Sequence, residues 1–476
     1  MFLPTIQVDP LKREPLYLQL AGQIRTAILQ GKLESGEMLP GTRTLSEQLG
    51  LARNTLKAAF EELVSEGLLR PQVGQGYRVV EQPRLVTDLQ IHAEGPSFGF
   101  DLPTGMQAAR SESRLVQLDL REVLPDPRLL PRVELARALR RSLKLASATR
   151  DPDLEPLGMK PLREALAAFL EERRGLRLEA DQLLVTRGEG QATDLLMRAF
   201  LKPGKAVVLE SPGLPRLREQ AELMGIRPLF LPVDEGGAEV AALEGHSQDK
   251  AIRMIFLSPG AQAPTGVSLS PTRREYLLAW AEEHRVAIVE VDSGAEWTAL
   301  NPVPLPLMAE DSRGVVIYLG GLRGLLGSTL RMGWIAGPRS LIARLASLQA
   351  TLGLRPEPTM EATLRELLEE GTLSRTARKL LLASQERREV MSSSLGLPTS
   401  SFAGGALWVA TGETSAYAWA QRVEAAGIRV RPGRDFDAEQ KDLPYLYLPF
   451  MAHEPEELRR IASCILEHRP AGRFQP

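Results

Sequence analysis

The sequence predicts a multidomain chain: a small N-terminal helical domain carrying a β-hairpin, followed by a large α/β domain built on a mostly parallel central sheet. Three observations carry this expectation. A length of 476 residues exceeds what one core holds, and a hydrophobic content of 43% supplies apolar side chains for more than one. Residues 16–80 read as three short helices and a hairpin. Beyond about residue 115, short β-rich apolar runs alternate with helical stretches, the pattern of strands covered by helices on both faces.

The first segment, PLYLQLAGQIRTAILQG, sets Leu20, Ile24 and Ile28 on one helical face and stops at Gly31. After the turn-rich KLESGEMLPG, a short helix runs through TRTLSEQLG, with Leu45 and Leu49 four apart and Gly50 closing it. A third begins near ARNTLKAAFEELVSEGLL, where Leu56, Ala59, Phe60 and Leu63 follow the i, i+3, i+4, i+7 spacing of a buried stripe. Two short helices joined by a tight turn at Gly50 make a helix-turn-helix. The run LLRPQVGQGYRVV then supplies two β-prone pieces around Gly74 and Gly76, a hairpin or wing.

The chemistry of this domain lies off its apolar stripe. Arg53, Asn54 and Lys57 project from the start of the third helix, opposite its core residues, where a recognition helix offers side chains to base edges and phosphates. Arg43, at the start of the preceding helix, can join them. Arginine suits such contacts because its donors form a fixed planar fork. A solvated charged face on a small helical domain has the same pattern. A formal net charge of −2 excludes a global basic field, and residues 1–80 hold nine Lys and Arg against eight Asp and Glu. Nucleic-acid binding therefore depends on local placement of charge.

Over its whole length this segment resembles the winged helix-turn-helix of the GntR transcription regulators. The resemblance rests on the opening helix, the proline-led LPGTR, the RNTLK of the third helix and the GQG of the wing. It implies that Arg43, Arg53, Asn54, Thr55 and Lys57 contact double-stranded DNA, with the wing at Gly74 to Gly76 reaching the neighbouring groove. Ala52 departs from the family, which often has a serine there; the missing hydroxyl costs about 1 kcal/mol of helix capping.

After a turn-rich connector without sustained period, at residues 81–114, PRVELARALRRSLKLA and KPLREALAAFLEERRG read as helices. The runs LLVTRG, AVVLES, MIFLSP, VAIVEVD and VVIYLGG read as strands, separated by helices such as QATDLLMRAFL and PTRREYLLAWAEEHR. Their order resembles the type I aminotransferase fold. The markers are the segment from PLREAL to SPGLP, then LSPGAQAPTG, then YLGGLRGLLGSTLRMGW, and GIRVRPGRDF. With the GntR-like head, the chain resembles the MocR-type regulators, in which an aminotransferase-like body binds pyridoxal phosphate and an effector amine or amino acid. The resemblance implies domains at 1–80 and 115–472, the latter with a large subdomain at about 150–345 and a small one from about 115–149 and 346–472.

Pyridoxal phosphate needs a lysine for its imine, an acid at the ring nitrogen, a slab on the ring and donors for the phosphate. By alignment with the family, Gly324 falls at the lysine, seven residues before a retained Arg331, and no lysine occurs between Lys250 and Lys379. Val291 falls at the acid and Ser293 at the tyrosine that follows it. Asp292 is one position off, and successive strand side chains face opposite ways. Glu189 replaces a serine of the phosphate cup, Leu214 the ring-stacking tyrosine, and Tyr447 the arginine that holds the substrate carboxylate. These departures predict a body without catalytic residues, bound cofactor or metal. The alternative is a pyridoxal phosphate-dependent aminotransferase, or a regulator that senses that cofactor.

The lone Cys464 forms no intramolecular disulfide and fits a reducing compartment. The N-terminus lacks a leader pattern and no apolar run approaches membrane-spanning length, so the expectation is a cytoplasmic, bacterial-type protein without a membrane partner. The resemblance further implies a homodimer. Whether the vacated pocket takes a small-molecule effector or the body is only a dimerisation scaffold stays open.

Overall fold

A computed structural model describes residues 6, 8–10, 14–72, 76–80, 116–145, 155–292, 304–328, 330–397 and 404–470. The chain divides into two compact units, Met1–Leu102 and Pro103–Pro476. The connector expected at 81–114 lies outside the described residues.

In the first unit the three expected helices are α1 (Leu16–Leu29), α2 (Thr42–Leu49) and α3 (Arg53–Ser65). The strands β1 (Met38–Leu39), β2 (Leu69–Gln72) and β3 (Gly76–Val79) form a small antiparallel sheet in the order β1-β3-β2. Gly50 ends α2 in the left-handed conformation, at φ 66°, which a residue without Cβ adopts freely. The predicted stripe of α3 is buried against Leu20, Ile24 and Ile28 of α1, with Leu45, Leu69 and Val79 completing the core.

The second unit opens with β4 (Leu118–Asp119), α4 (Arg132–Leu145) and α5 (Lys160–Arg174). There follow β5 (Leu183–Thr186), α6 (Glu189–Phe200), β6 (Ala206–Ser211), α7 (Pro215–Leu223), β7 (Arg227–Asp234) and β8 (Gly237–Ala238). Next come β9 (Ile252–Leu257), α8 (Pro271–His284), β10 (Ala287–Val291), α9 (Leu307–Glu310), β11 (Val316–Gly321), α10 (Arg323–Leu326) and β12 (Gly333–Ala336). The chain continues through α11 (Arg339–Thr351), α12 (Pro358–Glu369), α13 (Thr372–Ser394), β13 (Ala406–Ala410) and α14 (Ala416–Ala425). It ends with β14 (Ile428–Arg429), β15 (Arg431–Pro432), β16 (Tyr445–Pro449) and α15 (Pro455–Glu467).

The eight-stranded sheet has the order β5-β12-β11-β10-β9-β6-β7-β8. Strands β11, β10, β9, β6 and β7 pair in parallel, while β12 and β8 run antiparallel to their neighbours. All five runs read as strands in the sequence are in this sheet. One face carries α6, α7 and α11 over Val207, Met254, Val289 and Ile317; the other carries α8 over Val208, Ile255 and Ile288, as a two-sided sheet requires. A smaller sheet, β13-β16-β15, packs its inner residues Leu407, Val409, Leu446 and Leu448 into a core shared with α13, α14 and α15. Among the described residues, no helix is long and apolar enough to cross a membrane.

Candidate functional site

In the first unit, Arg43, Arg53, Asn54 and Lys57 are exposed and Thr55 is half-buried. Arg53 is the first residue of α3, preceded by Ala52, whose side chain caps nothing. Arg43 and Lys57 each lie 3.7 Å from a glutamate one turn on, Glu47 and Glu61. Both pairs are largely solvated, so a phosphate can compete for either cation at little cost. Gly74 lies outside the described residues. Gly76 has a structural requirement of its own: at φ +107°, a Cβ there would sit 2.3 Å from the Leu39 carbonyl oxygen. Packing against β1 therefore explains this glycine without recourse to DNA.

In the second unit, the positions aligned with the family's cofactor residues lie around the carboxyl ends of β5, β6, β10 and β11 and on the small sheet. Gly324 is half-buried in α10, immediately after β11, and the neighbouring Arg323 pairs with Glu122. Arg331 is exposed, and it makes no ion pair among the described residues. Ser293 lies outside the described residues.

Val291 ends β10 and packs in the apolar cluster of α6 and α7. Asp292 turns to other partners: it accepts a 2.7 Å bond from Arg174 Nε and a 2.6 Å bond from the Tyr318 hydroxyl, on the same carboxylate oxygen. Its carboxylate is thus engaged by the protein itself. Burial foremost, then the Asp292 charge, hold the Tyr318 phenol well above its ordinary pKa.

Glu189 is the first residue of α6, after Gly188 at φ +106°. Its side chain folds over the end of β11, so that a Cβ on Gly321 would lie 3.3 Å from both its Cγ and an Oε. The side chain is 16% exposed, and its one ion partner among the described residues, Arg216, stands 3.9 Å away. Desolvation raises its pKa, against the pull of the Arg216 and Arg323 charges.

Leu214 precedes α7 and packs on the apolar cluster beside Leu217 and Phe230. Tyr447 stands on β16 between Trp408 and Arg431 on the flanking strands, its ring centroid 5.0 Å from that of Phe436. Burial pushes its phenol up to about 12, with Arg431 acting in the opposite direction.

The APTG turn is closed on itself. Gln262 accepts bonds from the Thr265 amide at 3.1 Å and its hydroxyl at 2.7 Å, and donates to the Pro212 carbonyl at 2.7 Å. One further buried group has no counterpart in the sequence reading. Glu210, near the end of β6, accepts from the Ser258 amide at 3.2 Å, and burial raises its carboxyl pKa to about 8. No local motif marks it. A separate cleft of about 310 Å³, lined by Gln117, Leu118, Ile428, His453, Arg460 and Cys464 among others, lies beside α15 and contains none of the cofactor-aligned positions.

The family model for aminotransferase class I and II matches residues 129–465. The chain belongs to this family. The model for bacterial regulatory proteins of the gntR family matches residues 16–79, making the whole a MocR-type GntR regulator with a helix-turn-helix and an aminotransferase-like domain. One similar protein is the pyridoxine biosynthesis transcriptional regulator of Corynebacterium glutamicum, 28% identical over 82% of this chain and 81% of its own. The probable rhizopine catabolism regulatory protein MocR of Rhizobium meliloti is 29% identical over 79% and 76%. Among solved structures, an archaeal alanine:glyoxylate aminotransferase superposes with a TM-score of 0.68 at 26% identity, covering 74% of this MocR-type chain and 90% of that one. The α-aminoadipate aminotransferase LysN of Thermus thermophilus gives 0.66 at 25% identity, over 75% and 93%.

Proposed function

We propose that this MocR-type regulator is a cytoplasmic homodimer that binds operator DNA sequence-specifically through Arg43, Arg53, Asn54, Thr55 and Lys57. Its aminotransferase-like body holds no pyridoxal phosphate and catalyses no transamination. It serves dimerisation and the sensing of an effector by non-covalent contacts.

The observation that carries the reading is Gly324 at the lysine position, in a chain with no lysine between residues 250 and 379. The surrounding residues agree with it. A phosphate at the start of α6 meets the half-buried carboxyl of Glu189. A pyridinium nitrogen finds the aliphatic Val291, while the adjacent Asp292 is held by Arg174 and Tyr318. These residues do not fit the cofactor. The relatives named as transcription regulators support a regulatory role for the whole chain.

Purified full-length protein mixed with pyridoxal phosphate is expected to show no aldimine absorption band, and borohydride to leave no cofactor on any peptide of the body. A borohydride-stable adduct on a body lysine would replace this reading with a cofactor-dependent one.

A further inference from the structure

Across the small sheet, Trp408 on β13, Tyr447 on β16 and Arg431 on β15 are direct cross-strand partners. Such partners share one face of a sheet, with Cβ atoms about 4.5–5.5 Å apart. Their chain neighbours Leu407, Val409, Leu446 and Leu448 fill the core from the other face, so this row points away from it. Phe436 lies against the row. Its ring centroid is 5.5 Å from that of Trp408 and 5.0 Å from that of Tyr447, and the Arg431 guanidinium carbon stands 5.7 Å from it.

Two donors in this row lack an acceptor among the described residues. Arg431 is half-buried, and its Nε is shut off from solvent without a hydrogen-bond partner. The hydroxyl of the half-buried Tyr447 likewise makes no hydrogen bond there, and with its pKa at about 12 it keeps its proton at neutral pH. A buried donor left unpaired is costly, and nearly all such groups in folded proteins find a partner. Two of them side by side, one charged, make a hole for an oxyanion. The nearby carboxylate of Glu122 does not fill it, because that group pairs with Arg323.

We propose that Arg431 and Tyr447 form a binding site for the carboxylate of a small organic acid, the effector of this body. The guanidinium Nε–H and the phenol O–H donate to the carboxylate oxygens, the first as a charge-assisted bond. Tyr447 aligns with the family's carboxylate-holding arginine, but here the positive charge comes from the neighbouring strand, one cross-strand step away. The tyrosine supplies a second, neutral donor. With no lysine between residues 250 and 379 to form an imine, the site makes no demand for an amino group. Its ligands are therefore acids recognised by the carboxylate alone, in contrast to the amines and amino acids that the family resemblance implies. This assignment rests on the non-covalent effector sensing proposed above.

Binding to the full-length protein is followed by tryptophan fluorescence, which reports on the second unit because all five tryptophans lie there, Trp408 in the row itself. The probes are acetate, isovalerate and benzoate. Each is set against the ammonium ion of the same carbon skeleton, ethylammonium, isoamylammonium and benzylammonium, at matched ionic strength. Wild type is expected to bind at least one of the acids saturably and none of the ammonium ions. R431Q is expected to weaken that binding about 10- to 100-fold, and Y447F about tenfold, as the loss of a hydrogen bond to a charged group implies. Both variants remove a donor that has no partner, so neither is expected to melt below wild type. Unchanged binding in R431Q, ammonium ions that bind as well as the acids, or no saturable response to any acid overturns the carboxylate site. A lower melting temperature in both variants marks the pair as structural and overturns it too. A borohydride-stable pyridoxal phosphate adduct in wild type overturns instead the reading on which the site rests.

Discussion

Asp292 and Arg174 are each 8% exposed, and their charges face one another in a setting with little water to screen them. Removing one partner strands the other as a buried, uncompensated ion, which costs about 3–5 kcal/mol. Asp292→Ala is therefore expected to destabilise the body by about that amount, measured by denaturant unfolding with tryptophan fluorescence. Tyr318→Phe, which removes one hydrogen bond and leaves the ion pair, is expected to cost about 1–3 kcal/mol. A loss below about 1 kcal/mol in Asp292→Ala would mean that the carboxylate is free for another role. The sequence puts Asp292 out of register with the family's acid, and strand alternation accounts for its separation from Val291. Its partners are not legible there: Arg174 is 118 residues away, and no local spacing announces so distant an ion pair. Glu189 is the reverse case. Its place in the run GEGQAT marks it in the sequence, whereas its side chain comes to lie over Gly321 only through the folding of α6 onto the end of β11.

The elements legible in the sequence are those whose apolar period is uninterrupted. Strands β6, β9, β10 and β11 are short apolar runs buried on both faces, the signature of a central parallel sheet. Two strands of the same sheet carry no such signal. Strand β7 contains Pro228 and Pro232, which count against a strand, yet it lies next to the edge beside the two-residue β8. Strand β12 is four residues long and begins at Gly333, whose Cβ would fall 2.9 Å from the Gly188 backbone carbon and the Gly320 carbonyl oxygen. Tertiary pairing, not local propensity, makes it a strand. At the end of β6, Glu210 ties that strand to the loop after β9. Its pKa is raised to about 8, so the folded protein holds this proton more tightly than the unfolded chain. The associated stability is complete below the ordinary glutamate pKa and is lost as pH rises to about 8. Wild type is expected to lose stability through this group between about pH 4.5 and 8, and Glu210→Gln, neutral throughout, to flatten that fall, followed by thermal melts across the range. Parallel pH profiles for the two proteins would show that Glu210 ionises normally.

At the scale of the molecule, the first unit has a core of its own, from Leu20 to Val79, made by three helices and a sheet. A domain of this size buries a modest share of its surface and is only marginally stable, but it needs no residue of the body to close its apolar stripe. Folding and DNA affinity should therefore separate. The fragment of residues 1–80 is expected to keep the helical circular dichroism of the head. In the dimer proposed for the whole chain, the second head binds from a high effective concentration once the first is engaged. The single head lacks that gain and is expected to bind a two-half-site operator about 10²–10⁴-fold more weakly than the full chain, with little difference on a single half-site. Titration of both proteins against one-site and two-site duplexes, at fixed salt, reads the contrast directly. Equal affinities on the two-site duplex would remove the reason for the aminotransferase-like body to act as a dimerisation scaffold, and would leave effector sensing as its remaining role.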